Sequence, residues 1–169
     1  GRLAFRVCGH LRERPVMTCD SKTDRRFDPL LLSNQLCFPL YAASKEVVRR
    51  YTPMLKDLDL TYTQYIAMMV MWEEETITVK ELGERLFLDS GTLTPLLKKM
   101  EAKGLIERER SDKDERKVVV TITQEGRDLR ATAMNVPPEM GRCVGLDTED
   151  AVQLHKLLEK VIENVRASE

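Results

Sequence analysis

From Leu32 onward, apolar residues recur at three- and four-residue spacing over most of the chain, and only residues 105–122 turn strand-like. That period puts one face of each segment toward a core and predicts a mainly helical fold. Leu36, Leu40, Ala43, Val47 and Tyr51 mark a first helix. Pro39 is awkward there, because an internal proline removes a hydrogen bond and clashes with the preceding turn. Either the regular helix starts close to Phe38, or its first turns are kinked. Pro53 bends or ends it, and residues 57–61 connect it to a second helix at about 63–74. Tyr65, Ile66, Met68, Met69 and Trp72 make that second helix read as nearly all buried. Thr78 with Glu81 matches a capping box and opens a short third helix through Leu82 and Leu86. Asp89 or Ser90 caps a fourth, running through Leu96, Leu97 and Met100 to a terminating Gly104.

Residues 105–110 and 117–122 read as two strands, the second rich in β-branched Val118, Val119, Val120 and Ile122. The charged residues 111–116 join them as a hairpin. Thr123 caps a further helix, and Pro137, Pro138 and Gly145 read as interruptions. Asp147 or Thr148 starts a last helix with Ala151, Leu154, Leu158, Val161 and Val165 along one stripe. The expected fold class is mainly α with a small β-hairpin. Residues 63–122 would form a winged helix-turn-helix, and residues 32–62 and 123–169 a helical dimerisation region. Residues 1–31 lack a period and contain Met17. They are expected to be an N-terminal extension, either sequence added or translated upstream of a natural start, or a flexible arm.

The formal net charge of −1 is silent about a nucleic-acid partner, because a local patch can hide in a balanced total. Cys8, Cys19, Cys37 and Cys143 form no CxxC pair and have no histidine at metal spacing, so neither metal nor cofactor is expected. Cys8 and Cys19 have no evident role. The apolar run 66–72 is too short to span a membrane and no signal peptide leads the chain, so a soluble cytoplasmic protein without a membrane partner is expected.

Two short helices followed at once by a hairpin are a layout that binds DNA, with the second helix in the major groove. Ser90, Thr92 and Thr94 stand at the leading end of that helix, and Lys98, Lys99 and Lys103 lie further along. Arg108, Arg110, Lys113, Arg116 and Lys117 put cations on the wing, where a tip arginine can reach a minor groove. Glu101, Glu107, Glu109, Asp112, Asp114 and Glu115 are interleaved with them, so a merely solvated surface stays open. The first and last helices each carry unmet apolar surface. Pairing both with a second copy would give a homodimer with two reading helices on a palindromic site.

The wing sequence Asp114-Glu115-Arg116 resembles the Asp-x-Arg signature of the MarR-type regulators. Three further stretches are similar to the organic-hydroperoxide-resistance repressors within that family. They are Asn34-Gln35-Leu36-Cys37-Phe38, Leu60-Thr61-Tyr62-Thr63-Gln64-Tyr65 and Leu88-Asp89-Ser90-Gly91-Thr92-Leu93-Thr94-Pro95. The resemblance runs from about residue 32 to the C terminus and implies a redox-sensing repressor on a double-stranded DNA operator. Cys37 would be the sensor, and its place near a helix start favours the thiolate that attacks peroxide. Tyr41 lies one turn on, and the resemblance implies that Tyr51 and Tyr62 also support the sulfur, in part across the dimer. Cys143 matches the second cysteine of the two-cysteine subtype, which implies an intersubunit disulfide with Cys37. It also implies that Asp114 and Arg116 belong to the DNA-binding wing. Pro39 departs from the ordinary helix former expected beside the sensor. The alternatives are a MarR-type regulator answering a small aromatic ligand or another oxidant, and a thiol peroxidase. No arginine or histidine adjoins Cys37 in sequence to favour the peroxidase.

Overall fold

The computed structural model describes residues 30–111 and 114–168, with the main chain alone at 114 and 115. The chain divides into two units, Gly1–Pro39 and Leu40–Glu169. Within the first, the described residues form a single 3-10 turn, Leu32–Asn34, and the beginning of helix α1, Cys37–Met54. The expectation for the first 29 residues, Cys8 and Cys19 included, lies outside the described residues. Pro39 is third in α1. The N–H groups of a first turn have no partner within the helix, so a proline there costs nothing and the helix needs no kink. Pro53 ends the helix in practice, since only Met54 comes after it.

In the second unit, α2 (Tyr62–Glu74) is the central element, opened by a capping box between Thr61 and Gln64. Tyr65, Ala67, Met68, Val70 and Met71 of α2 enter the core, whereas Met69 is 46% exposed, contrary to the nearly all-buried helix expected. Strand β1 (Thr76–Thr78) leads directly into α3 (Val79–Leu86), where Thr78 and Glu81 form the anticipated capping box. Helix α4 (Ser90–Ala102) is next, with Asp89 as its cap. Lys103 and a left-handed Gly104 (φ +71°) then turn the chain into β2 (Ile106–Ser111), which pairs with β3 (Asp114–Ile122). The sheet is three-stranded and antiparallel in the order β1-β3-β2, so the hairpin has a third strand that was not foreseen. Ile77 pairs with Val120, and Arg108 pairs with Val120 from the other side. The expected hairpin loop is also shorter, because β3 already begins at Asp114.

Leu82 of α3, Leu93, Leu97 and Met100 of α4, and Ile106 and Val120 of the sheet are almost wholly buried against α2. This apolar cluster holds α4 and the hairpin to one body. Helix α5 (Gln124–Ala133) starts at a Thr123 cap, and its first turn lies close to α2 and to the end of β3. The Trp72 indole donates a hydrogen bond of 2.7 Å to the Gly126 carbonyl at that junction. The interruption expected at Pro137 and Pro138 falls just before them, between Ala133 and Val136. The two prolines lie in the first turn of α6 (Val136–Val144), where proline is tolerated. Gly145 takes the left-handed conformation that closes α6, and Asp147 caps α7 (Thr148–Arg166). None of the 19 residues of α7 is buried. Among the described residues, no helix is long and apolar enough to cross a membrane.

Candidate nucleic-acid interface and thiol sites

Asp89 governs the leading end of α4. Its carboxylate accepts from the Thr92 main-chain N–H and the Thr92 hydroxyl, both at 2.9 Å. These bonds hold the Asp89 carboxyl below its usual 3.8. Thr94 donates its hydroxyl to the Ser90 carbonyl at 2.8 Å. Both threonine hydroxyls therefore donate within the helix, and a phosphate oxygen would have to compete with those acceptors. Ser90, Thr92, Thr94, Lys98 and Lys99 are all exposed on α4.

A carboxyl with a depressed folded-state pKa stabilises above its unfolded value and loses that contribution as pH falls through the folded one. Asp89→Ala is accordingly expected to melt below the parent at pH 7, with the gap closing as the pH drops below about 3.8. Paired thermal melts between pH 6 and 3 check this; a gap independent of pH would show that the carboxylate charge contributes nothing.

On the wing, the predicted cations separate. Arg110 is exposed near the end of β2. Arg108 instead turns back onto α4, its Nε and Nη2 donating to Glu101 Oε2 at 3.1 and 2.5 Å. Arg116 is exposed and engaged in an interaction of its own. The Asp114 side chain lies outside the described atoms. Lys103 is also engaged, in an exposed ion pair with Asp59 at 2.8 Å. Arg85 clamps α3 to the end of α2 through Glu73 and Glu74, each at 2.5 Å.

Cys37, the first residue of α1, carries an exposed free thiol, as does Cys143 near the end of α6. Within the second unit, Arg50 Nε donates to Cys143 Sγ at 3.3 Å. The pair lies in an open groove of about 510 Å³ lined by Val47, Arg49, Pro53 and Met140 among others. Sequence reasoning missed Arg50, because 93 residues separate it from its cysteine.

The predicted tyrosines divide as well. The rings of Tyr51 and Tyr62 meet at 4.9 Å, and Tyr65 joins them at 5.8 Å from Tyr51. The sequence places Tyr65 only in the core, although its spacing of three from Tyr62 puts both on one helix face. Burial, then Tyr62 and Tyr65, raise the Tyr51 phenol above its ordinary value. It therefore remains a protonated hydrogen-bond donor at neutral pH. Tyr41 stands apart, 62% exposed, with the Lys45 ammonium 5.9 Å from its ring centre.

A capped helix pair running into a three-stranded sheet whose last two strands form a hairpin is the layout of the winged-helix regulators. Comparison with known proteins narrows the class. Residues 49–132 match the model of the transcriptional regulator SarA/Rot family. The organic hydroperoxide resistance transcriptional regulator of Bacillus subtilis is 47% identical over 84% of this chain and 97% of its own length. AbfR of Staphylococcus epidermidis is 30% identical over 80% of this chain and 94% of its own, with a TM-score of 0.69. AbfR structures include a reduced form and an overoxidised form bound to DNA, at TM-scores of 0.66 and 0.67. Each is about a third identical over 79% of this chain, 32% and 31% respectively, and 94% of its own. A disulfide form is 32% identical over 80% of this chain and 90% of its own, at 0.56. This chain belongs to the MarR/SarA-type transcriptional regulators, in the group of the organic hydroperoxide resistance regulators.

Proposed function

We propose that this chain acts as a two-fold dimer that holds a palindromic DNA operator while Cys37 is reduced and releases it once organic hydroperoxide has oxidised that thiol. The observation that carries the reading is the pair of exposed free thiols, Cys37 and Cys143, on helices of a winged-helix regulator. The Cys37 thiolate attacks the terminal peroxide oxygen, the O–O bond breaks, an alcohol leaves, and the sulfur becomes a sulfenic acid. The Cys143 thiol of the second copy then attacks that sulfur and expels water, leaving a disulfide. Hydroperoxide is the oxidant for the whole sequence. Tyr41, Tyr51 and Tyr62 are the phenols proposed to support the Cys37 sulfur.

The dimer is supported by α7, whose Leu154, Leu157 and Val165 are 44%, 54% and 62% exposed. Stripes of that kind are normally covered. DNA contact is assigned to Ser90, Thr92, Thr94, Lys98, Lys99, Arg110, Asp114 and Arg116. AbfR has been solved on DNA in an overoxidised form as well as a reduced one. This favours the disulfide, rather than oxygen on the sulfur alone, as the form that lets go.

A second reading is favoured by one cleft. Tyr65, Met69, Trp72, Arg130, Met134 and Pro137 line about 300 Å³ between α2, α5 and α6, apolar apart from a guanidinium and Glu73. A small aromatic acid would suit it.

The test is DNA binding by the parent and the Cys143→Ser protein before and after one equivalent of an organic hydroperoxide, with non-reducing electrophoresis alongside. The parent is expected to form a covalent dimer and release DNA. The serine variant is expected to form none and to retain DNA or release it only partly. Release without any covalent dimer would remove the disulfide step. Release by an aromatic acid instead of peroxide would favour the second reading.

A further inference from the structure

Arg108 belongs with the DNA contacts by its position on the wing, and its geometry points elsewhere. We propose that Arg108 is a positioning residue, an internal brace that fixes the angle between the wing and α4, and that Glu101 is its counterpart. The inference rests on the DNA-binding reading and deepens it.

Ile106, Arg108 and Arg110 share one face of β2, since side chains alternate along a strand. Along that face Ile106 is buried in the core, Arg108 is half-buried and Arg110 is exposed. The middle residue therefore stands where the wing leaves the body. Its guanidinium directs two N–H groups at one oxygen of Glu101, and the side chains are only 21% and 38% exposed. Glu101 stands in the last turn of α4, and the intervening corner turns on Gly104 in the left-handed conformation. A corner made by so few residues has one soft direction, the swing of the strand pair about the helix end. The ion pair spans that corner. The bonds and charge of Arg108 hold the Glu101 carboxyl below its ordinary range, as a committed partner would. An arginine so engaged has little left to offer a phosphate.

The two roles predict opposite signs. Glu101 carries a negative charge on the element proposed to enter the groove. If it were only surface charge, Glu101→Gln would raise DNA affinity by removing repulsion and freeing Arg108. A brace predicts the reverse. The experiment measures affinity for a duplex selected from random sequence by the parent protein, over a range of salt concentrations, for the parent, Glu101→Gln, Arg108→Gln, Arg110→Gln and the exchanged pair Glu101→Arg with Arg108→Glu.

Glu101→Gln and Arg108→Gln are expected to lose roughly tenfold in affinity for the selected duplex while the slope of log affinity against log salt stays at the parent's value. Arg110→Gln is expected to reduce that slope by about 0.9, the signature of one lost phosphate contact. The exchanged pair is expected to regain most of the affinity, which a general loss of folding would not allow. Tighter binding by Glu101→Gln, or a slope reduced by about 0.9 in Arg108→Gln, overturns the brace and leaves DNA binding intact. Absence of salt-dependent binding in the parent overturns the DNA-binding reading itself, and the brace with it.

Discussion

With cysteine at position 37 replaced by serine, the protein is expected to remain on its operator when organic hydroperoxide is added. Under the same conditions the parent's affinity should fall on the order of a hundredfold, which corresponds to roughly 3 kcal/mol. The substitution changes one atom at an exposed position, so neither fold nor DNA affinity should suffer in reducing buffer. A hydroxyl is not oxidised by a hydroperoxide, so only the trigger is removed. Fluorescence anisotropy of a labelled duplex, titrated before and after peroxide, reads the result directly. Equal release by the serine protein would transfer the sensing role to another group. The ligand-gated reading would then gain, because the cleft beside Trp72 contains no cysteine.

The second large effect concerns stability. A methyl group at position 126 would stand 2.3 Å from the Leu105 carbonyl oxygen and 2.8 Å from Ile122 Cγ1. The first of those neighbours is main chain at the corner between α4 and β2 and cannot swing aside. The Gly126 N–H donates to Thr123 Oγ1 at 3.0 Å, and its carbonyl accepts from the Trp72 indole, so the glycine is held on both sides. Gly126→Ala is therefore expected to destabilise the chain by about 3 kcal/mol, the upper end of the usual cost of overpacking. Gly141→Ala is the control. Its added methyl meets nothing within 4 Å, and α6 should gain about 0.5–1 kcal/mol from the lower freedom of the unfolded chain. Urea denaturation of the three proteins tests both signs, and similar midpoints for all three would refute the packing argument.

Local chemistry made much of the fold legible. Thr78 with Glu81, Thr123 and Asp147 are capping residues whose partners lie three positions away, and each does open a helix. Gly104 beyond α4 is equally local. The errors fall where distant pairing decides. Thr76-Ile77-Thr78 is too short to announce a strand and becomes one only because Thr121 and its neighbours lie alongside, 45 residues on. Pro137 and Pro138 do mark the break after α5, but that a new helix starts with them was not legible, because it depends on the residues that follow.

The candidate sites divide along the same line. Cys37 and the hydroxyl-rich entry to α4 were visible as motifs. Which cations face outward was not, since that depends on the acid each one meets. Arg108 and Lys103 meet Glu101 and Asp59, whereas Arg110, on the same strand as Arg108, is exposed. Charge counting treats all of them alike.

Trp72 is the only tryptophan in the chain, and its ring N–H is tied to the Gly126 carbonyl in the first turn of α5. Nature has thus placed a single intrinsic fluorophore at the joint between the central helix and α5. Its emission colour depends on whether that joint is dry or wet, so unlabelled protein reports on the joint in real time.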